Sequence, residues 1–110
     1  MNKKIKIMLA QLNSTVGDLE KNSKIVLETY YEASKQKVDV LAFPEMFLSG
    51  YQLQDLVLKK AFQEDVKNFL KILAKKCVAS TYLLLGAPIL EKEKLFNAYF
   101  LINKGKAKVI

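Results

Sequence analysis

The residue with the clearest potential for chemistry is Glu45. It follows a short apolar segment, residues 38–43, and Pro44, which ends that segment because proline cannot donate a ladder hydrogen bond. Open α/β sheets place functional groups just beyond the carboxyl ends of their parallel strands. Apolar neighbours on both sides of Glu45 are expected to raise the pKa of a partly buried carboxyl, which suits a general base near neutral pH. The alternative interpretation is a surface glutamate that caps the following loop.

Few other side chains could react. The chain has no histidine, so acid–base chemistry has to come from carboxylates, lysines or tyrosines. Its one cysteine, Cys77, ends an apolar helical stripe and is predicted to be a buried core thiol rather than a nucleophile. The glycines form no phosphate-binding motif. We therefore expect neither a metal nor a cofactor in this chain.

Glu45 lies after the second strand of a predicted βαβ unit. Residues 5–12 form a nearly continuous apolar run, which predicts a strand covered on both faces. Asp18 is placed to cap a helix over residues 19–35, and residues 38–43 form the next strand. A buried stripe of that helix is predicted at Leu19, Val26, Tyr30 and Ala33. The two strands should be parallel neighbours.

The second half of the chain predicts two more helices and an antiparallel hairpin. Residues 55–60 suggest a short helix, and residues 63–77 a longer one with Glu64 and Asp65 in its first turn. A buried strand at residues 82–86 is expected to end at Ala87 and Pro88. After a charged turn at residues 91–94, residues 96–102 and 106–110 flank Asn103-Lys104-Gly105, a hairpin signal. The prediction is one α/β domain over residues 1–110, with parallel strands followed by an antiparallel hairpin.

The net charge of +7 raises the question of nucleic-acid binding. All 18 basic residues are lysines, spread along the chain, whereas arginine is the preferred reader of base edges and phosphates. We expect no nucleic-acid partner. No run approaches about 18 apolar residues and the start has no signal-peptide pattern. A protein of the cytoplasm, without a membrane partner, is expected, and a single cysteine fits a reducing compartment.

Residues 43–51 resemble a segment typical of the nitrilase superfamily, F-P-E-x-x-x-[ST]-G-Y, whose glutamate belongs to a Glu-Lys-Cys triad. Further matches run from about residue 4 to residue 110. They are residues 7–13, Val16-Gly17-Asp18 followed by Asn22, Gly86-Ala87-Pro88, and Phe96-Asn97-Ala98 before the hairpin. Residues 50–51, 55–58 and 61–62 are similar, more specifically, to the N-terminal glutaminase domain of glutamine-dependent NAD synthetases.

This resemblance implies the first part of an α-β-β-α sandwich and an amide hydrolase that works through a thioester. Glu45 would be the general base, and Tyr51 would line the glutamine pocket, although an aromatic residue that closes the loop onto the core is an equal alternative. Ammonia released from glutamine would serve ATP-dependent NAD synthesis in a synthetase domain that is absent from these residues. ATP would be used only there, and the intact enzyme is expected to be a homo-oligomer.

The family's lysine and cysteine are not recognisable here, because both belong to segments beyond the hairpin. We therefore expect these residues to be inactive alone and to need the remainder of the enzyme, which could be a separate chain. One alternative is a non-catalytic remnant or interaction module, because a half-domain would leave an apolar sheet face and an open edge at Val109 and Ile110. Another is a fragment of a general nitrilase-family amidase that acts on a different small amide.

Overall fold

The computed structural model describes residues 4–12, 14–15, 18–44, 47–48, 60–91 and 94–110. Its elements are β1 (Ile7–Leu9), α1 (Leu19–Lys35), β2 (Val40–Ala42), α2 (Lys60–Lys76), β3 (Tyr82–Glu91), β4 (Lys94–Asn103) and β5 (Lys106–Val109). The strands form one five-stranded sheet in the order β1-β2-β3-β4-β5. The first three strands are parallel and the last two pair antiparallel, as the sequence predicts.

Helix α1 has the predicted bounds and its cap explains its start. The carboxylate of Asp18 accepts from the backbone N–H of Lys21 at 3.0 Å, which satisfies a free donor of the first turn. The predicted stripe of Leu19, Val26, Tyr30 and Ala33 is buried. Two polar residues, Asn22 and Ser23, are buried with it, which the apolar spacing alone does not predict.

Helix α2 also lies where the pattern predicts, but it is helical from Lys60, three positions before residue 63. Its first turn therefore holds no acidic residue, and the prediction for Glu64 and Asp65 is wrong. Lys75 and Lys76 lie in the last turn, where cations interact favourably with the helix dipole. The short helix predicted at residues 55–60 falls outside the described residues except for Lys60.

One face of the sheet packs against the helices. Leu41, Leu83 and Ile102 are fully buried on it, paired across neighbouring strands. They belong to a single hydrophobic core that also contains Val26 and Tyr30 of α1. Burial of this sheet face, together with the helical stripes, is the main source of stability of the fold.

The opposite face is open where β1 lies. We call Ile5, Ile7, Leu9 and Tyr82 the open face; their exposed fractions range from 42% to 70%. The expected strand 5–12, covered on both faces, is thus observed as a strand of three residues that is covered on one face. The register places Ile7 beside Val40 and Tyr82, so these side chains share one surface.

Strand β3 continues through Pro88 instead of ending before it. The carbonyls of Leu84 and Gly86 accept from Phe43 and Leu48, on the side of β3 that faces away from β4. Because N–H and C=O groups alternate between the two sides of a strand, Pro88 lies at a position whose N–H would also face away from β4. The proline therefore removes no hydrogen bond between β3 and β4, and both strands extend to the pair Glu91 and Lys94.

The β4–β5 hairpin is confirmed. Its two central residues, Lys104 and Gly105, have φ values of 51° and 81°. Positive φ at both positions is the backbone of a type I′ turn, which matches the twist of the flanking strands. No helix among the described residues is long and apolar enough to cross a membrane.

Candidate functional site

The candidate site is the chain that leaves the carboxyl end of β2. Neither Glu45 nor Tyr51 is among the described residues, so their roles stay predictions. The residues on both sides of position 45 are described, and we call Phe43, Pro44, Phe47 and Leu48 the β2 exit. Its backbone is attached to three elements of the fold.

The incoming side of the β2 exit is held by two strands of the sheet. The N–H of Phe43 donates to the carbonyl of Leu84 in β3 at 2.9 Å. The carbonyl of Phe43 accepts from the hydroxyl of Tyr99 in β4 at 3.2 Å. The Phe43 ring is buried and lies 4.7 Å from the ring of Phe47, centroid to centroid. These contacts fix the main chain just before Pro44.

The outgoing side is held by β3 and α1. Phe47 donates its N–H to the carbonyl of Pro44 at 3.3 Å, which ties together the residues that flank positions 45 and 46. Leu48 is fully buried and donates its N–H to the carbonyl of Gly86 at 3.3 Å. Its own carbonyl accepts from the side-chain amide of Asn22 at 2.9 Å.

Asn22 is one of two residues at this site, with Tyr99, whose contribution was not predicted from the sequence. Asn22 also belongs to the segments that match the family. A usable signal was its spacing, because it lies three residues after Leu19 and four before Val26, on the apolar stripe of α1. A polar side chain at such a position is buried and needs hydrogen-bond partners.

Cys77 is not part of this site. It is fully buried directly after the end of α2, and its N–H donates to the carbonyl of Leu73 at 2.8 Å. Burial raises the pKa of its thiol to about 12, because the thiolate would lose its hydration. A nucleophilic cysteine needs the opposite shift. The prediction of a buried core thiol is confirmed.

The described residues contain no cluster of three or more histidine, cysteine, aspartate or glutamate side chains suited to a metal ion. What the β2 exit does provide is a main chain held by hydrogen bonds at the carboxyl end of the parallel strands. Firm support of the flanking main chain is what an acid–base group requires.

A family model described as Carbon-nitrogen hydrolase matches residues 6–109. The chain belongs to the carbon–nitrogen hydrolase family. It is 38% identical over 106 residues to the glutamine-dependent NAD(+) synthetase of Rhodobacter capsulatus, a match that covers 96% of this chain and 19% of that protein. With the enzyme of the same name from Thermotoga maritima it shares 34% identity over 104 residues, or 94% of this chain and 18% of that protein.

Solved structures agree with this assignment. The glutamine-dependent NAD(+) synthetase from Cytophaga hutchinsonii matches with a TM-score of 0.87 and 30% identity, over 94% of this carbon–nitrogen hydrolase chain and 18% of its own. An amidase from Nesterenkonia sp. matches with a TM-score of 0.77 and 20% identity, over 94% and 40% of the two chains, which supports the fold alone. The chain thus corresponds to a fragment of the glutaminase-like hydrolase domain and spans about a fifth of the length of its curated relatives.

Proposed function

We propose that these residues form the part of a glutaminase domain that carries the general base, Glu45. The complete protein would hydrolyse glutamine and pass the ammonia to an ATP-dependent step that makes NAD from its acid precursor. The observation that carries this proposal is the β2 exit, a main chain anchored on both sides of position 45 at the carboxyl end of the parallel strands. The family and the glutamine-dependent relatives support the reaction type.

In this proposal Glu45 removes the proton from a cysteine thiol, and the thiolate attacks the amide carbon of glutamine. A lysine stabilises the negatively charged tetrahedral intermediate. Glu45 returns the proton to the leaving nitrogen, ammonia departs, and water hydrolyses the thioester to glutamate. Tyr51 would line the glutamine pocket. Cys77 is not the nucleophile in this proposal, because it is buried with a raised pKa. The proposal therefore takes the cysteine, together with the lysine, from outside these 110 residues.

A chimera tests the proposal. In the Rhodobacter capsulatus NAD synthetase, the segment that matches this chain is replaced by residues 4–110 of the chain, and NAD formation is measured with glutamine or with an ammonium salt. We expect Glu45→Gln to lower the glutamine-dependent rate by about 10²–10⁴-fold, the usual contribution of a general base. The ammonium-dependent rate should not change, since it bypasses amide hydrolysis.

The matched control is Glu20→Gln, the same substitution at an exposed position of α1. Equal glutamine-dependent rates in the two variants would refute the role of Glu45. The 110-residue chain purified alone should not hydrolyse glutamine above background. Turnover that disappears in Glu45→Ala would show that the chain is sufficient for catalysis and that its nucleophile has been misassigned.

A second candidate is an interaction module without catalytic activity. The open face favours it, because Ile7 and Leu9 are 61% and 68% exposed and lie beside Tyr82 on one surface. Exposed apolar patches mark surfaces that other polypeptides cover. The DNA that follows codon 110 distinguishes the candidates. A reading frame that supplies the missing lysine and cysteine favours the enzyme, and one interrupted by stop codons favours the module.

A third candidate, a general amidase, differs only in its substrate. A panel of small amides assayed on the reconstituted enzyme tests it, because a glutaminase should prefer glutamine over simple aliphatic amides. The glutamine-dependent relatives favour glutamine.

A further inference from the structure

Asn22 is a fully buried polar residue in the apolar stripe of α1. Its Oδ1 accepts from the backbone N–H of Thr15 at 2.7 Å. Its Nδ2 donates to the carbonyl of Thr15 at 2.7 Å and to the carbonyl of Leu48 at 2.9 Å. One side chain therefore joins three parts of the chain: the segment before α1, α1 itself and the β2 exit.

These hydrogen bonds define which way the amide of Asn22 points. Both N–H groups of Nδ2 face carbonyl oxygens, and Oδ1 faces a backbone N–H. A flipped amide would place Oδ1 against the carbonyls of Thr15 and Leu48, and Nδ2 against the N–H of Thr15, so all three contacts would become repulsive. Only asparagine supplies two donors and an acceptor at this reach, whereas aspartate of the same shape supplies no donor.

The contact with Leu48 matters because of what surrounds it. Leu48 lies 26 residues from Asn22 in sequence and three residues after Glu45. Its N–H is bound to Gly86 of β3, so its two neighbouring peptide groups are held between the sheet and α1. On the other side of position 45, Phe43 is bound to Leu84 and Tyr99. Among the described residues, Asn22 donates a hydrogen bond that links the outgoing side to α1.

We infer that Asn22 is a positioning residue, which holds the β2 exit through the carbonyl of Leu48 and thereby places Glu45 for proton transfer. The second half of this inference rests on the proposed function. The first half does not, because it concerns only the main chain of the β2 exit. Small displacements of a reacting group reduce rates strongly, so an attachment three residues from the base affects catalysis without touching substrate.

The first half of the inference, that Asn22 holds the β2 exit, is tested by hydrogen exchange of assigned backbone amides in the full protein that contains these residues. In Asn22→Asp the oxygen that accepts from the N–H of Thr15 remains, and both donations of Nδ2, to the carbonyls of Thr15 and Leu48, are lost. We expect the amides of Phe47 and Leu48 to exchange about tenfold faster or more, while Thr15 stays protected and Leu85, in the core of the sheet, changes little. In Asn22→Ala, Thr15 and Leu48 should both lose protection.

Val26→Ala is the matched control, because Val26 is fully buried one turn further along the same helix. Val26→Ala should lower global stability without breaking a hydrogen bond to the β2 exit. Exchange at Thr15, Leu48 and Leu85 should therefore increase by a similar factor. The same uniform pattern in Asn22→Asp would overturn the inference. So would an Asn22→Asp protein in which Leu85 is unprotected, because Asn22 would then be required for the fold as a whole.

The second half of the inference, that Asn22 places Glu45 for proton transfer, is tested by enzyme kinetics in the chimera. Asn22→Asp should lower the glutamine-dependent kcat by about tenfold or more with little change in KM, and leave the ammonium-dependent rate unchanged. If Glu45→Gln is harmless, the proposed function fails while the exchange result stands. If Glu45→Gln abolishes the rate and Asn22→Asp has no effect on kcat, the inference about Asn22 fails alone.

Discussion

The reactivity of the Cys77 thiol tests whether this chain's only cysteine is a buried core residue or a nucleophile. The structure buries it completely at the end of α2, and burial raises its pKa from 9.0 to about 12. A nucleophile would be accessible and ionised, whereas a core thiol would be neither. We therefore expect Cys77 of the folded protein to resist a chromogenic disulfide reagent and to react at an ordinary rate once the chain is unfolded.

The magnitude follows from the ionised fraction. At about pH 8 a thiol of pKa 9.0 is about one-tenth thiolate, whereas a thiol of pKa about 12 is thiolate in about one molecule in 10⁴. Because only the thiolate attacks, the folded protein should react about 10³-fold more slowly than the unfolded chain. Exclusion of the reagent by the surrounding core can only increase that ratio.

The assay compares labelling rates at about pH 8 in native buffer and in denaturant. A native rate within about tenfold of the unfolded rate would refute the buried thiol and reopen a nucleophilic role for Cys77. The raised pKa also defines how the stability of the fold changes with pH. Since the folded pKa exceeds the unfolded value, the neutral thiol's contribution to stability is complete below pH 9.0 and is lost as pH rises from there towards about 12. Cys77→Ala should remove that part of the pH dependence.

Two further predictions concern the hairpin and the open face. Gly105→Ala should lower the free energy of unfolding by about 1 kcal/mol, measured by denaturant titration, because a φ of +81° is strained for alanine. Steric clash is not the cause, since an added Cβ would lie 4.0 Å from the Ala74 carbonyl oxygen. Unchanged stability would contradict the turn geometry. The double variant Ile7→Lys, Leu9→Lys should reduce self-association in sedimentation without loss of stability. Tyr31→Lys, on the helical side, is its control, and an equal effect there would exclude the open face as the cause.

Much of this fold is predictable because its signals are local. Asp18 and the spacing of apolar residues predict α1 with its observed bounds, since capping and periodicity act within a few residues. Gly105 predicts the β4–β5 turn for the same reason. The hydrophobic position of Cys77 predicts its burial. The family segment around Glu45 identifies the superfamily, which the family match confirms.

The errors arise where a local signal competes with a distant partner. Pro88 is a strand terminator by its own chemistry, but it is accommodated in β3 because its missing N–H faces away from β4. The apolar run at residues 5–12 predicts a strand covered twice, yet Ile7 and Leu9 remain exposed. Coverage depends on what packs over a face, and a strand's own residues do not encode that.

The sequence by itself therefore determined the order and type of the elements that the structure describes, the candidate base Glu45 and the hydrolase family to which it points. Only the tertiary structure decided how the chain around Glu45 is held. The Nδ2 of Asn22 meets the carbonyl of Leu48 across 26 residues, and Tyr99 reaches Phe43 across 56. Such hydrogen bonds exist only after α1, β2 and β4 have packed, because their partners are brought together by the shared core and not by proximity along the chain.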